Sequence, residues 1–303
     1  MRRGHVLIGT SGWIYPRWNA GRFYPADLPA KSRLAFISRA FATVEINGTF
    51  YSLSRPNNFA AWRQAVPRDF VFAIKGSRYI THMLKLRHCR KALANFFAQG
   101  VLALGRQLGP ILWQLPPSLP FDRARADEFL AQLPHELAAA ERLARRHDAR
   151  LNGRSCLRTP KSDDSRAQTL RHAVEVRHAS WLAEDALQLL AAHGVALVTA
   201  DSADHHPLSI ERTAGFAYVR LHGSQKLYGS RYDDRELDDW AAQIDAWRAR
   251  GSDVYVYFDN DEKAYAPADA RRLSERLHIG PAPLDASAQR RISSTNEEAT
   301  SWH

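Results

Sequence analysis

Residues 173–201, AVEVRHASWLAEDALQLLAAHGVALVTAD, hold one complete strand–helix–strand unit. Ala173–Arg177 and Val195–Asp201 are short apolar runs rich in valine, and Trp181–His193 between them carries leucines at helical spacing. Working outward, six further runs have the same β character: His5–Thr10, Ala42–Asn47, Phe70–Lys75, Pro110–Leu115, Phe216–His222 and Asp253–Phe258. Helical patterns separate them at Lys31–Ala40, Asn57–Val66, His88–Leu104, Arg123–Leu133 with Glu136–Arg146, Asp233–Arg250 and Pro267–Leu277. In Asp233–Arg250, Leu237, Trp240, Ile244 and Trp247 share one face. Only the link from the sixth strand to the seventh lacks an obvious helix.

Repeated right-handed strand–helix crossovers build a parallel sheet, and eight of them within about 280 residues favour closure into a barrel. The expected fold is therefore a single α/β (β/α)8 TIM-type barrel over residues 1–280. A longer loop and helical insertion falls between strands 4 and 5, and a flexible C-terminal tail covers 281–303. Gly9-Thr-Ser-Gly12 runs into Trp13, so the glycine fingerprint of a dinucleotide fold is missing.

Of the 303 residues, 45% are hydrophobic and 24% charged, a globular composition. No apolar stretch approaches the roughly 20 residues of a membrane span, and Met1–His5 leads into no signal-like segment. Cys89 and Cys156 are far apart and outside any metal-binding spacing. A cytoplasmic setting without membrane association is expected. The net charge of +10 is unevenly spread: residues 1–137 carry 19 Lys/Arg against 7 Asp/Glu, whereas residues 173–303 carry 14 against 21. A basic half attracts phosphates or nucleic acid, and it also suits a solvated Arg-rich surface.

Alternate residues of a barrel strand face the lumen, and these folds place their chemistry at the C-terminal strand ends. On that parity Thr43, Glu45 and Asn47 share a face, as do Val71, Ala73 and Lys75, and Ala173, Glu175 and Arg177. Leu197, Thr199 and Asp201 form the next such set, followed by Tyr218, Arg220 and His222. Each run ends polar. The fourth strand adds Gln114, and the eighth ends Tyr257-Phe258-Asp259-Asn260, where either Asp259 or Asn260 looks inward. Charges in a lumen are costly unless paired, so either a plug of ion pairs or a ligand pocket is expected. Trp13, Tyr15 and Trp18 follow the first strand as a stacking surface or a hydrophobic cap. Tyr51 follows the second strand, and Lys75, Arg78 and His82 offer three cations after the third.

Gly9–Trp13, Glu45–Tyr51, Lys75 through Ile80-Thr-His82, Gln114–Pro117, Glu175–His178 with Ser180-Trp181, Tyr218–Gly223 and Tyr255–Phe258 with Asn260 together resemble the YecE-like proteins, domain-of-unknown-function family 72. The resemblance runs from about residue 5 to about residue 280. It implies a TIM-type barrel in a bacterial cytoplasm and brings no established activity. Asp259 and Glu262 make this mouth more acidic than the family pattern.

The residues suggest an anionic ligand, phosphorylated or sugar-like, with acid–base conversion by a hydrolase or isomerase. Glu175, Glu45, Asp201 and His222 are the catalytic candidates. Trp13, Asn47, Tyr51, Lys75, Arg78, His82, Gln114, Arg177, Arg220, Tyr257 and Asn260 are the ligand-binding candidates. Glu175 is the expected general base, ionised by neighbouring cations. A second class is a non-catalytic nucleic-acid or nucleotide-binding protein using the basic N-terminal half. A third, a metal-dependent phosphodiesterase like endonuclease IV, would gather Glu45, Glu175, Asp201 and His222, although Lys75, Arg177 and Arg220 would repel the ion. No particular cofactor or resident metal follows from the residues, nor does an oligomeric state. Glu175→Ala or Arg220→Ala is expected to abolish ligand binding and spare the fold.

Overall fold

The computed structural model describes residues 3–19, 21–160 and 168–280. The expected tail, 281–303, and residues 161–167 of the expected insertion before the fifth strand lie outside them. Eight parallel strands close into a barrel in chain order: β1 (Val6–Ser11), β2 (Thr43–Ile46), β3 (Val71–Lys75), β4 (Leu108–Gln114), β5 (His172–Glu175), β6 (Ala196–Asp201), β7 (Phe216–Leu221) and β8 (Asp253–Phe258). Closure comes from β1 pairing with β8, Val6 opposite Val254 through Thr10 opposite Phe258. The helices are α1 (Arg33–Ala40), the short α2 (Gly48–Tyr51), α3 (Pro56–Gln64), α4 (Arg90–Ala98), α5 (Arg123–Leu130), α6 (Leu137–Ala144), α7 (Glu184–Ala192), α8 (Asp234–Ala249) and α9 (Ala266–Arg276). Both α5 and α6 fall between β4 and β5, where the insertion was expected, and 202–215 cross from β6 to β7 without a helix.

Caps place several boundaries. At α8, Asp233 accepts from the Glu236 N–H while the Glu236 side chain accepts from the Asp233 N–H, a reciprocal cap that fixes the start of the longest helix. Its buried face presents Leu237, Ile244 and Trp247 to the barrel, as the spacing predicts.

Two apolar sets divide the molecule. The larger packs helices on the outer wall and includes Ile8, Val44, Phe72, Ile74, Trp113, Val174 and Leu197. The smaller fills the lumen, where Ala73, Ala173, Ala196 and Ala200 lie among Phe216, Tyr218, Tyr255 and Tyr257. Small residues on β3, β5 and β6 thus make room for aromatic rings from β7 and β8, the large-against-small fit of a filled barrel. At the β1–β2 seam a Cβ on Gly9 would lie 2.0 Å from the backbone oxygen of Thr43. Gly9→Ala must therefore pry this pair apart. The expected result is a loss of roughly 3 kcal/mol or more, visible as a lower urea midpoint.

Candidate functional site at the barrel mouth

Lumen parity carries a row of polar side chains to the C-terminal rim. Arg220, from β7, is 1% exposed and sits at its centre. Its Nε donates to Glu45 Oε2 at 3.1 Å and its Nη2 to Glu45 Oε1 at 2.9 Å. Nη1 donates to Glu175 Oε2 at 2.7 Å, and Nη2 also reaches Asp259 Oδ2 at 2.9 Å and Ser11 Oγ at 3.2 Å. The remaining Nη1 contact is His222 Nε2 at 3.3 Å. Every N–H of this guanidinium is committed, which leaves none for a ligand.

The carboxylates are nearly as occupied. Glu45 also accepts from Ser11 Oγ at 3.0 Å and from the Tyr218 hydroxyl at 2.7 Å. Glu175 Oε1 accepts from Arg177 Nε at 3.2 Å and Nη2 at 3.1 Å. Burial alone would raise the Glu175 carboxyl, but Arg220 and then Arg177 outweigh it and hold it well below the usual carboxylate range. A base so strongly stabilised as its anion takes protons poorly. Glu175 therefore fits the role of holding Arg220 better than the general base the sequence suggested.

Asp259 is the inward residue beyond β8. Tyr255 and Tyr257 face the lumen, so the period of two continues to Asp259, which lies 3.0 Å from His222 Nδ1. A guanidinium can only donate, so His222 Nε2 is the acceptor of the Arg220 contact, while His222 Nδ1, though 3.0 Å from Asp259, makes no aligned hydrogen bond among the described residues. Burial raises Asp259, yet Arg220 and His222 more than offset this and lower it. Two residues on, Asp261 goes the other way: burial and then the Asp259 charge push it well above the ordinary range. Its two oxygens are buried without a hydrogen-bond partner among the described residues. Asp259 and Asp261 line a cavity of about 420 Å3 with Tyr15, Arg17, Tyr228 and Glu262.

Lys75 differs from the rest. It ends β3 with 9% of its surface open, and its Nζ stands 4.6 Å from the centroid of Phe50. Among the described residues its ammonium makes no hydrogen bond and no ion pair. Burial and then the Arg220 charge lower it to about 8. His82, on the turn after β3, packs edge-on against the same Phe50 ring at 5.2 Å. Burial, then Arg177 and Arg78, lower His82 to about 4, so its imidazole is neutral at pH 7. Gln114, 5% exposed, ends β4 in register with Glu175.

The rim therefore unites Glu45, Lys75, Gln114, Glu175, Arg177, Arg220 and His222, with His82 against Phe50, the ring that Lys75 also faces. Asn47 follows β2 half-buried, with a shielded Oδ1 that has no partner among the described residues. Tyr51 is 70% exposed and lines a groove of about 380 Å3 with Arg78, Tyr79 and Arg150.

Four expectations need correction. Asp201 is not in the lumen: Ala196, Val198 and Ala200 take that side of β6, and Asp201 meets the Tyr232 hydroxyl at 3.1 Å on the helical side. Asn260 likewise points away from the mouth, donating to Asp269 Oδ2 at 2.9 Å and to the Ser230 carbonyl at 3.0 Å, which ties β8 to α9. Trp13 is buried, its ring edge-on to Trp62 at 5.5 Å, so the hydrophobic-cap reading holds for it. Tyr257 lies in the lumen, fully buried and bonded to Thr43 Oγ1 at 2.8 Å, out of a ligand's reach. Asp261 and Tyr228 were missed, since turn residues past a strand end carry no parity to read.

These displacements bear on a metal. Of the four donors imagined for one, Asp201 stands across the wall, while Glu45 and Glu175 are engaged by Arg220. Among the described residues no group of three or more His, Cys, Asp or Glu is arranged to hold an ion. The set does not fit.

An eight-stranded α/β barrel with a buried arginine hub at its C-terminal mouth is thus the class to which the chain conforms. The chain belongs to the family described as "Protein of unknown function DUF72", whose model matches residues 7–292. It is similar to the UPF0759 protein YecE of Escherichia coli K12, 31% identical over 132 residues, 43% of this chain. That match spans 45% of the relative, so the chain covers less than half the length of the curated relative. With the UPF0759 protein YunF of Bacillus subtilis identity is 20%, across 90% of this chain and 95% of the other. A crystal structure of a DUF72 family protein from Thermotoga maritima superposes with a TM-score of 0.71 at 25% identity, covering 90% of this chain and 99% of that one. Among the described residues no helix is long and apolar enough to cross a membrane.

Proposed function

We propose that the mouth binds a small anionic ligand, phosphorylated or sugar-like, with Lys75 as the anchoring charge and Arg177, which pairs with Glu175 on the same rim, as a second cation. The observation that carries this reading is the contrast between two buried cations. Arg220 is saturated by protein oxygens, whereas the Lys75 ammonium has no such partner among the described residues. A buried ammonium with idle donors is costly, and an incoming anion removes that cost. Lys75, lowered to about 8, is then the group suited to proton transfer in an isomerase- or hydrolase-type reaction, with Glu175 fixing Arg177 and Arg220 and Asp259 fixing Arg220.

A thermal-shift series over sugar phosphates, nucleotides and divalent cations tests it. A ligand at a hundred times its Kd adds about 2.7 kcal/mol, a rise of a few degrees in Tm. Sugar phosphates are expected to give that rise and divalent cations none. If no phosphorylated compound moves Tm, the reading is wrong.

Surface features favour a second reading, nucleic acid. Arg78 and Arg150 flank the exposed Tyr51 and Tyr79 in the groove beside the mouth, and Arg90, Lys91 and Arg146 line an open depression on the helical flank. Stacking plus phosphate contact binds single strands, with affinity that falls steeply as salt rises. A ligand seated on Lys75 responds weakly to salt. Titrating a labelled oligonucleotide at two ionic strengths separates the two.

A further inference from the structure

We propose that Lys75 is a covalent catalyst: its amine condenses with an aldehyde or ketone carbonyl of the ligand held at the mouth, forming an imine. This rests on the anionic-ligand reading and adds to it the reactive group that the ligand must carry; while Lys75 reacts as the neutral amine, the phosphate is held by Arg177, the partly exposed cation of the same rim.

A lysine needed only as a fixed positive charge is best kept fully protonated, whereas burial shifts its pKa readily and suits it to react as an amine. Lys75 ends a barrel strand, with 9% of its surface open and the Phe50 ring against its Nζ. No carboxylate oxygen lies within ion-pair reach of it among the described residues, although Glu45, Glu175 and Asp259 belong to the same rim. Those three are turned to Arg220, and Glu175 also to Arg177. The arginines take the counter-charges and Lys75 is left with an aromatic face and a neighbouring cation. Desolvation beside a second cation is the arrangement that frees an amine lone pair near neutral pH. The lowering of Lys75 to about 8 agrees with the geometry: roughly a tenth of the molecules carry the free amine at pH 7.

The step balances without an outside oxidant or reductant. The Nζ lone pair forms a bond to the carbonyl carbon as the C=O π pair moves to oxygen, and a proton passes from nitrogen to that oxygen. The nitrogen lone pair then forms C=N as the oxygen leaves, with a second proton, as water. Amine and carbonyl give imine and water. His82, lowered to about 4 and bonded through Nδ1 to Thr81 Oγ1 at 2.8 Å, is too weak a base for this, so the protons are exchanged with water at the open side of the amine.

Reductive trapping tests this directly. Wild-type protein is incubated with glyceraldehyde 3-phosphate and sodium cyanoborohydride, digested with trypsin and read by mass spectrometry. The imine, once reduced, becomes a stable secondary amine that blocks cleavage, so the adduct appears on peptide 69–78. The expected result is labelling of Lys75 at least tenfold above each of the other six lysines. Unphosphorylated glyceraldehyde should label it at least tenfold less, and Lys75→Arg, which keeps a cation and removes the nucleophile, should give no adduct there. Binding of glycerol 3-phosphate, which has no carbonyl, is measured in parallel on wild type. If it binds while labelling is spread evenly over the lysines, the covalent role is refuted and the anion site stands. If it does not bind and Lys75 is not preferred, both readings fall.

Discussion

Arg220→Met should lower the unfolding free energy by about 3–5 kcal/mol, a large share of the roughly 5–15 kcal/mol that a domain possesses. The hub holds Glu45, Glu175 and Asp259, with Glu45 and Glu175 fully buried. Removing it leaves three neighbouring carboxylates with only Arg177 on Glu175, Ser11 and Tyr218 on Glu45 and His222 near Asp259 to offset their repulsion, which favours protonation. Urea denaturation should show a midpoint well below wild type at pH 7, with the deficit shrinking as the pH falls and the carboxylates take protons. Arg220→Lys should recover little, because one ammonium cannot reach the five oxygens that the planar fork spans. A midpoint within experimental error of wild type would show the hub to be dispensable. The sequence reading expected the opposite, a silent effect on folding, because it placed Arg220 among the groups that touch a ligand.

Lys75→Met should act in the reverse direction. Replacing an unpartnered buried amine with a thioether of similar length is expected to stabilise the protein by about 1–3 kcal/mol at pH 7, and to erase any Tm rise given by sugar phosphates. The sign follows from linkage. The folded-state value of about 8 lies below the ordinary unfolded value of roughly 10.4, so between these pH values the unfolded chain holds a proton that the folded chain has shed. The penalty of burying this amine is complete below pH 8 and fades as the pH rises towards about 10.4. The advantage of the methionine variant should fade over the same interval. Anion binding by wild type should weaken as the pH passes through about 8. A methionine variant that is less stable than wild type and still binds the sugar phosphates would refute the role given to Lys75.

The strand–helix alternation was legible because each strand of a filled barrel is apolar on both faces while its helices show a distinct period. That same property hides which face is which. In β6 the sequence Ala-Leu-Val-Thr-Ala-Asp offers two plausible inward sets, and the smaller one, Ala196, Val198 and Ala200, faces the lumen because Tyr218 and Tyr257 need the room. Glu45, Glu175 and Arg220 were legible for a plain reason: a charge at the end of an apolar strand has few places to go. Which charges would pair with each other was not, since that depends on distances across the mouth. Trp13 shows the limit for loops, where an aromatic run reads equally as a cap or a ligand surface until its neighbour, here Trp62, is known.

The arginine hub also has a bearing on how the chain reaches its native state. Ser11 comes from the first strand and Asp259 follows the last, so a nascent barrel missing either edge has an incomplete shell around Arg220. Partly assembled forms therefore lack one hydrogen-bond acceptor of a buried guanidinium and are disfavoured relative to the finished ring. A single guanidinium thus sharpens cooperativity: its set of acceptors, drawn from segments some 250 residues apart, is complete only when the first and last strands meet.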